Sequence, residues 1–219
     1  MFKNRKEAAI ELAKELEIFK PRTPLILAIP RGGVEIGYYI ARELSCEWSV
    51  LVARKLGYPE QPEAAFGAMA EDKSLYFNPR ANIRLSKEMI ERVIKKEEKE
   101  ILRRIKIYRN GAPLPSMNNR TVVLVDDGIA TGATLFASIE MCKKARAGEI
   151  IVAAPVASID VCEQLMDIVD MVVVLETPLN FFAVSQAYLH FENLSDKDVL
   201  KFLSVENILK NKSNKLVEY

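Results

Sequence analysis

Histidine is nearly missing from this chain, with His190 the one copy in 219 residues, and cysteine is sparse, with Cys46, Cys142 and Cys162 far apart. One histidine cannot build a histidine-based metal centre, so His190 reads as a surface or packing residue. Three widely spaced cysteines, an odd number with no CxxC pair, fit reduced thiols and an intracellular setting better than a disulfide framework. Neither sign of charge is in excess: 31 Lys and Arg against 30 Asp and Glu leave a net +1. Binding to nucleic acid or to an acidic membrane would need a global basic field, and there is none, so an anionic ligand must be held by a local device. No apolar run approaches the length of a membrane span, and the opening MFKNRKEAAIELAKELEIF is charged throughout, unlike a signal peptide. The expectation is a cytoplasmic protein with neither nucleic acid nor membrane among its partners. Two common nucleotide-binding signatures are also missing, since the chain has no GK[ST] and no GxGxxG.

What is present is an alternation. Ala8, Ala9, Leu12, Leu16 and Phe19 form a helical stripe over 5–19, closed by Pro21 and Pro24. LILAIP (25–30) is a short continuous apolar run, the pattern of a strand buried on both faces; RGG follows, then a helix beginning VEIGYY, then a strand at 48–56. Residues 57–84 carry three prolines and two glycines and read as a loop with a β-hairpin. Ile90, Ile94, Glu97, Ile101, Ile105 and Tyr108 then recur near a period of 3.6, which predicts a helix over 86–109 with Ser86 as its N-cap and the run KKEEKE on a solvated face. Beyond a loop at 111–120 come a strand (121–125), a helix from about Thr134 to Ala145, a strand (149–157), a helix from Ser158, a strand (171–176) and a helix starting at Ser195. The pattern predicts an α/β fold, a doubly wound and mostly parallel sheet. A hairpin-plus-helix insertion at about 57–110 forms its hood and a tail runs over 190–219, all within one domain of residues 1–219.

In such a sheet, ligands bind beyond the carboxyl ends of the strands. The stretch VVLVDDGIATGAT (122–134) ends a strand on two adjacent acids. Gly128, Ala130, Gly132 and Ala133 keep side chains away, so backbone N–H groups at a helix N-terminus can approach an anion, with the hydroxyls of Thr131 and Thr134 beside them. Asp126 and Asp127 would repel a phosphate and therefore face something else, either sugar hydroxyls or a magnesium ion. The pattern calls for a sugar phosphate.

The same stretch closely resembles the ribose-phosphate signature of the type I phosphoribosyltransferases: four apolar residues, two acids, three residues, then T-G-x-T. The resemblance covers roughly 20–190 and includes AIPRGG, similar to the family's pyrophosphate loop. It implies a donor, 5-phosphoribosyl 1-diphosphate, bound with Mg2+, and a nitrogenous acceptor that displaces diphosphate. Asp126 and Asp127 would hold the ribose hydroxyls and help fix magnesium, directly or through water. The loop Gly128, Ile129, Ala130, Thr131, Gly132, Ala133, Thr134 would grip the 5-phosphate. Arg31, Gly32 and Gly33 would take the diphosphate, with Arg54 and Lys55 as further candidates at a strand end on the same edge. The insertion at 57–110 falls where the family carries a mobile loop. Gly128 departs from the aliphatic residue usual there and is expected to loosen the turn.

Two features bear on the acceptor. Family members acting on 6-oxopurines usually carry an aspartate just before T-G; here the residue is Ala130, which cannot transfer a proton. Yet LETPLNFF (175–182) is similar to those same enzymes, in which an aromatic residue stacks on the base, and Phe181 is the equivalent candidate. The hairpin AFGAMAEDKSLYFN and the tail VSQAYLHFENLSDKDV suggest a branch described only as predicted phosphoribosyltransferases. The expected partners are the donor and a small-molecule acceptor, with a second copy of the chain as a further candidate. Two other readings stay open: a regulatory protein that senses the donor without catalysis, and a doubly wound partner protein with no active site.

Overall fold

The computed structural model describes residues 1–79, 81 and 85–204. Part of the expected insertion (80 and 82–84) and of the expected tail (205–219) therefore lies outside the described residues.

The first helix, α1 (Arg5–Glu15), is capped by the Asn4 side chain and passes through a 3-10 turn at Glu17–Arg22 into β1 (Leu25–Ala28). Then follow α2 (Gly32–Leu44), β2 (Trp48–Val50), β3 (Ala53–Tyr58), β4 (Gln61–Ala70), β5 (Leu75–Phe77) and α3 (Lys87–Arg109). The second half runs β6 (Thr121–Val125), α4 (Ala133–Lys144), β7 (Glu149–Val156), α5 (Ile159–Met166) and β8 (Met171–Glu176), with a 3-10 turn at Val184–Ala187 and helical residues at 196–204. Among the described residues, no helix is long and apolar enough to cross a membrane.

Five strands make an all-parallel sheet in the order β2-β1-β6-β7-β8. Strand alternation divides the core in two. Ile26, Ala28, Val123, Val125, Ile151 and Ala153 face α1 and α2, whereas Leu25, Leu27, Val122, Leu124, Ile150 and Val152 face α4 and α5. From β1 the chain crosses to β2 on one side; from β6 it proceeds to β7 and β8 on the other. The winding therefore reverses between β1 and β6, and a crevice opens beyond their carboxyl ends. PRGG leaves β1 there and DDGIATGAT leaves β6, so the topology brings the two motifs face to face.

The expected single strand at 48–56 is two strands in two sheets. β2 stays in the parallel sheet, while β3 pairs antiparallel with β4, and β4 with β5. Leu51 and Val52 are both fully buried at the break, so an unbroken apolar run concealed it. The Val52 N–H, freed from strand pairing, donates to Glu71 Oε2 at 2.8 Å. The hood matches its expected hairpin and helix, and α3 begins where Ser86 Oγ accepts from Met89 N. One side of the antiparallel sheet covers α4, where the Tyr76 ring stacks on Phe136 at 4.7 Å. On the other side Phe66 and Met69 pack with Ile101 and Tyr108 of α3.

Candidate functional site

The loop after β6 is stitched to its neighbour. Ile129 N donates to Val156 O at 2.8 Å, Ser158 N to Ile129 O at 3.0 Å, and Ser158 Oγ to Ala130 O at 3.2 Å. Gly132 closes the loop at φ +66, a left-handed conformation that side chains resist, and serves as the N-cap of α4. Opposite the first turn of α4, whose N–H groups have no intrahelical acceptor, is a cup of about 110 Å³ lined by Asp126, Gly128–Thr134, Leu135, Val184 and Lys55. The space over Gly128 is filled. A methyl group built on it would lie 2.5 Å from a Val184 methyl and 2.9 Å from one of Val156, so Val184 supplies from the far end of the chain the aliphatic group missing at 128.

The two acids touch each other but differ in their other partners. Asp126 lines the cup and also a larger cavity of about 710 Å³. Its Oδ1 accepts the Asp127 N–H at 2.8 Å. Asp127 lines neither cavity: its Oδ2 meets Arg5 Nε at 2.7 Å, and its carbonyl accepts the Tyr188 hydroxyl at 2.6 Å. Burial pushes the Asp126 carboxyl well above the usual carboxylate range, and the adjacent Asp127 charge adds to this while Lys55 opposes it. Burial raises Asp127 as well, against the pull of its Arg5 ion pair. Together these groups form a carboxylate aimed at the cavities and, behind it, a second one held by a cation.

The glycine turn after β1 packs directly on this pair. The Pro30–Arg31 peptide is cis, and Gly32 and Gly33 open α2. A methyl on Gly33 would sit 2.7 Å from the Val125 carbonyl oxygen and 2.9 Å from Asp126 Cα, both backbone atoms that cannot swing aside. Gly33→Ala is therefore expected to cost about 1–3 kcal/mol, as overpacking does, and to move the PRGG turn away from Asp126; a thermal melt beside a crystal structure of the variant checks both. Arg31 is exposed beside α2 and makes no capping bond.

Of the two cations at the strand end, Arg54 is bonded through Nε to Glu97 of α3 at 2.8 Å, in a pair whose acid is 9% exposed. Lys55 is exposed and lines the cup, the 710 Å³ cavity and a third cavity of about 680 Å³. The 710 Å³ cavity is bounded by Ile29, Pro30 and Thr134 below and by Met89, Arg92 and Lys96 of α3 above. The 680 Å³ cavity lies on the other side of the loop, between Ala130 and Thr131, the Tyr76 ring, and Leu179 and Phe181. Phe181 is half-buried there, while Phe182 is 82% exposed. His190 is exposed.

Several site-lining residues were not anticipated. Arg92 lies outside KKEEKE and Lys96 is part of it, and both reach a cavity wall because the hood lays α3 over the crevice. Ser158, Asp160 and Gln164 line the third cavity from α5 and its cap. Arg5 was legible in one respect: it is in phase with the buried stripe of Ala8, Ala9 and Leu12, and a charge on an apolar stripe must find a partner.

A family model described as a phosphoribosyl transferase domain matches residues 2–191. Two sequences of Mycobacterium tuberculosis, strains CDC 1551 and H37Rv, each provisionally named a phosphoribosyl transferase, are 37% identical over 205 residues. The match covers 93% of this chain and 46% of each relative, so the chain spans about half the length of the curated relatives it matches. A protein of Thermus thermophilus known from its crystal structure is similar with a TM-score of 0.78 at 35% identity, over 93% of this chain and 97% of that one.

Proposed function

This chain belongs to the phosphoribosyl transferase family, and on that premise we propose that it moves the 5-phosphoribosyl group of 5-phosphoribosyl 1-diphosphate to a nitrogenous acceptor, with release of diphosphate. The observation that carries the reading is the meeting at one crevice of a small backbone cup, the Asp126 carboxylate and Lys55. A phosphate in the cup faces free N–H groups and the positive end of α4. Asp126 then stands where the ribose hydroxyls would lie, and accepts from them. Lys55 and Arg31 balance the leaving diphosphate.

In the transfer the acceptor nitrogen gives its electron pair to the anomeric carbon. The bond to the diphosphate oxygen breaks, that oxygen keeps its pair, and the nitrogen later sheds its proton. Because positive charge develops on the sugar, fixed charges contribute more than a covalent partner would. The 57–110 insertion acts as the lid that excludes water, with Arg92 and Lys96 of α3 on its inner side.

The residues present fit magnesium. Among the described residues no group of three or more His, Cys, Asp or Glu forms a complete metal cage, and magnesium is commonly held by one or two carboxylates together with substrate phosphates and water. Asp126, facing the cavities, would supply that carboxylate, and the ion would supply positive charge to the diphosphate.

The 680 Å³ cavity suits the acceptor, with Phe181 as the stacking ring. Ala130 borders it where a proton-transferring acid would be needed for 6-oxopurines. Hypoxanthine, guanine and xanthine are therefore expected to turn over at least about a hundredfold more slowly than the best acceptor, the lower end of what a positioned acid or base contributes. A diphosphate-release assay over a panel of bases and small amines, with donor and magnesium, tests this; efficient use of any of the three oxopurines overturns the role given to Ala130. Heat of donor binding without turnover of any acceptor would instead favour a regulatory sensor.

A further inference from the structure

We propose that Arg5 is a positioning residue for the donor site, fixing Asp127 and, through it, the Asp126 carboxyl that faces the ligand. The inference rests on the transferase reading above and adds to it a residue that lines none of the three cavities described.

Arg5 is 4% exposed, although it carries a charge that it cannot lose. Three faces of its guanidinium are occupied. Nε meets Asp127 Oδ2 at 2.7 Å, Nη1 donates to the Glu192 carbonyl at 2.9 Å, and the Phe191 ring lies 4.0 Å from the guanidinium carbon. The segment that supplies Phe191 and Glu192 is tied to the residues just before Arg5. Phe2 N donates to Ala187 O at 2.8 Å, Leu189 N to Phe2 O at 2.9 Å, and His190 N to Lys3 O at 3.0 Å. Arg5 is thus seated in a pocket made by two ends of the domain and points out of it in one direction, at Asp127.

Asp127 is gripped on every side. Arg5 holds its carboxylate, the Tyr188 hydroxyl holds its carbonyl, and Gly32 packs so closely that a methyl there would lie 1.8 Å from Oδ2. Turning the Asp127 side chain toward the crevice would leave Arg5 buried and uncompensated, a costly arrangement. The grip passes onward, because the Asp127 N–H donates to Asp126 Oδ1 at 2.8 Å. The two carboxyls also lie within hydrogen-bonding reach of each other, so where Asp127 is held Asp126 is held too. The same tail also fills the space over Gly128 with Val184, so residues 184–192 buttress the loop at two adjacent positions.

An ion pair that merely stabilised the fold would change the melting temperature and leave substrate preferences alone. The test separates the two roles with Arg5→Lys, Arg5→Met and Phe191→Leu. Lysine keeps the charge but cannot bond Asp127 and Glu192 while lying flat on a ring. Phe191→Leu removes that ring without touching charge, and serves if Arg5→Met fails to fold. Thermal midpoints, donor affinity by calorimetry with magnesium, and separate KM values for donor and acceptor are measured on each folded variant. The expected result is a donor affinity about 10- to 100-fold weaker for Arg5→Met, the range for outer partners of functional ligands, smaller losses for Arg5→Lys and Phe191→Leu, and an unchanged acceptor KM. Folded Arg5 variants with the donor affinity of the unmodified protein would overturn the inference while leaving the transferase reading in place. An unmodified protein that gives no heat with the donor would overturn the transferase reading, and this inference with it.

Discussion

Asp126→Asn is expected to weaken binding of 5-phosphoribosyl 1-diphosphate with magnesium by about ten- to a hundredfold, which is the 1.5–3 kcal/mol of hydrogen bonds to a charged group, while leaving the fold as stable as before or more so. The asymmetry follows from where the group stands. Asp126 faces the cavities, and burial together with its neighbour's charge already disfavours its ionised form. Asparagine removes that unfavourable charge and still offers an oxygen to the Asp127 N–H. Asp127→Asn should differ in what it does to the fold. It leaves Arg5, 5% exposed in its side chain, without a counter-charge, so its first effect is on stability, with a loss of about 3–5 kcal/mol. Calorimetry and thermal denaturation on the two single variants give four numbers that distinguish these roles. Equal effects of the two variants on both measurements would show that the acids act as one clamp, as the family resemblance alone suggested.

An effect on stability as large is expected at Arg109→Met. Arg109 closes α3 and bonds through Nη2 to Glu71 Oε1 at 2.5 Å, with side chains 7% and 8% exposed. Glu71 also receives the Val52 N–H at 2.8 Å, so this carboxylate joins the hood helix, the hairpin and the bend between the two sheets. Burial raises the Glu71 carboxyl above the usual carboxylate range, with Arg109 opposing the shift. Removing the arginine leaves the acid with its desolvation cost and without its main compensation, a loss of about 3–5 kcal/mol, or a fall in melting temperature of about 6–20 °C at this chain length. Replacing both partners, as Glu71→Leu with Arg109→Met, should recover part of that loss, because no buried charge remains. Recovery should be incomplete, since Val52 N–H then lacks its acceptor. A single Arg109→Met that melts within about 2 °C of the unmodified protein would show that the hood is anchored elsewhere.

Much of this protein can be read locally. Periodicity located α3 to within a residue of Lys87–Arg109, with Ser86 as cap. The continuous apolar runs located β6 and β8 at 121–125 and 171–176. The sequence TGAT after two acids announced a strand, a turn and a helix start, because glycine spacing and helix caps act over a few residues. The same local logic missed the break at Leu51–Val52, since a strand that changes sheets while staying buried leaves no polar mark on its sequence.

Residue order alone was enough to require a doubly wound fold with a small-residue turn after one strand and an arginine-glycine turn after another. Which partner each charge finds was decided only by the fold. Asp126 and Asp127 are adjacent and chemically alike, yet one faces the crevice and the other a buried arginine 122 residues away. Arg54 and Lys55 are adjacent too, yet Arg54 is bonded to Glu97 at the wall of the 710 Å³ cavity, while Lys55 is exposed and lines three cavities. Residue type sets what a side chain can do at short range. Which partner reaches it first depends on packing between distant segments, and at the acid pair that partner comes from the two ends of the domain.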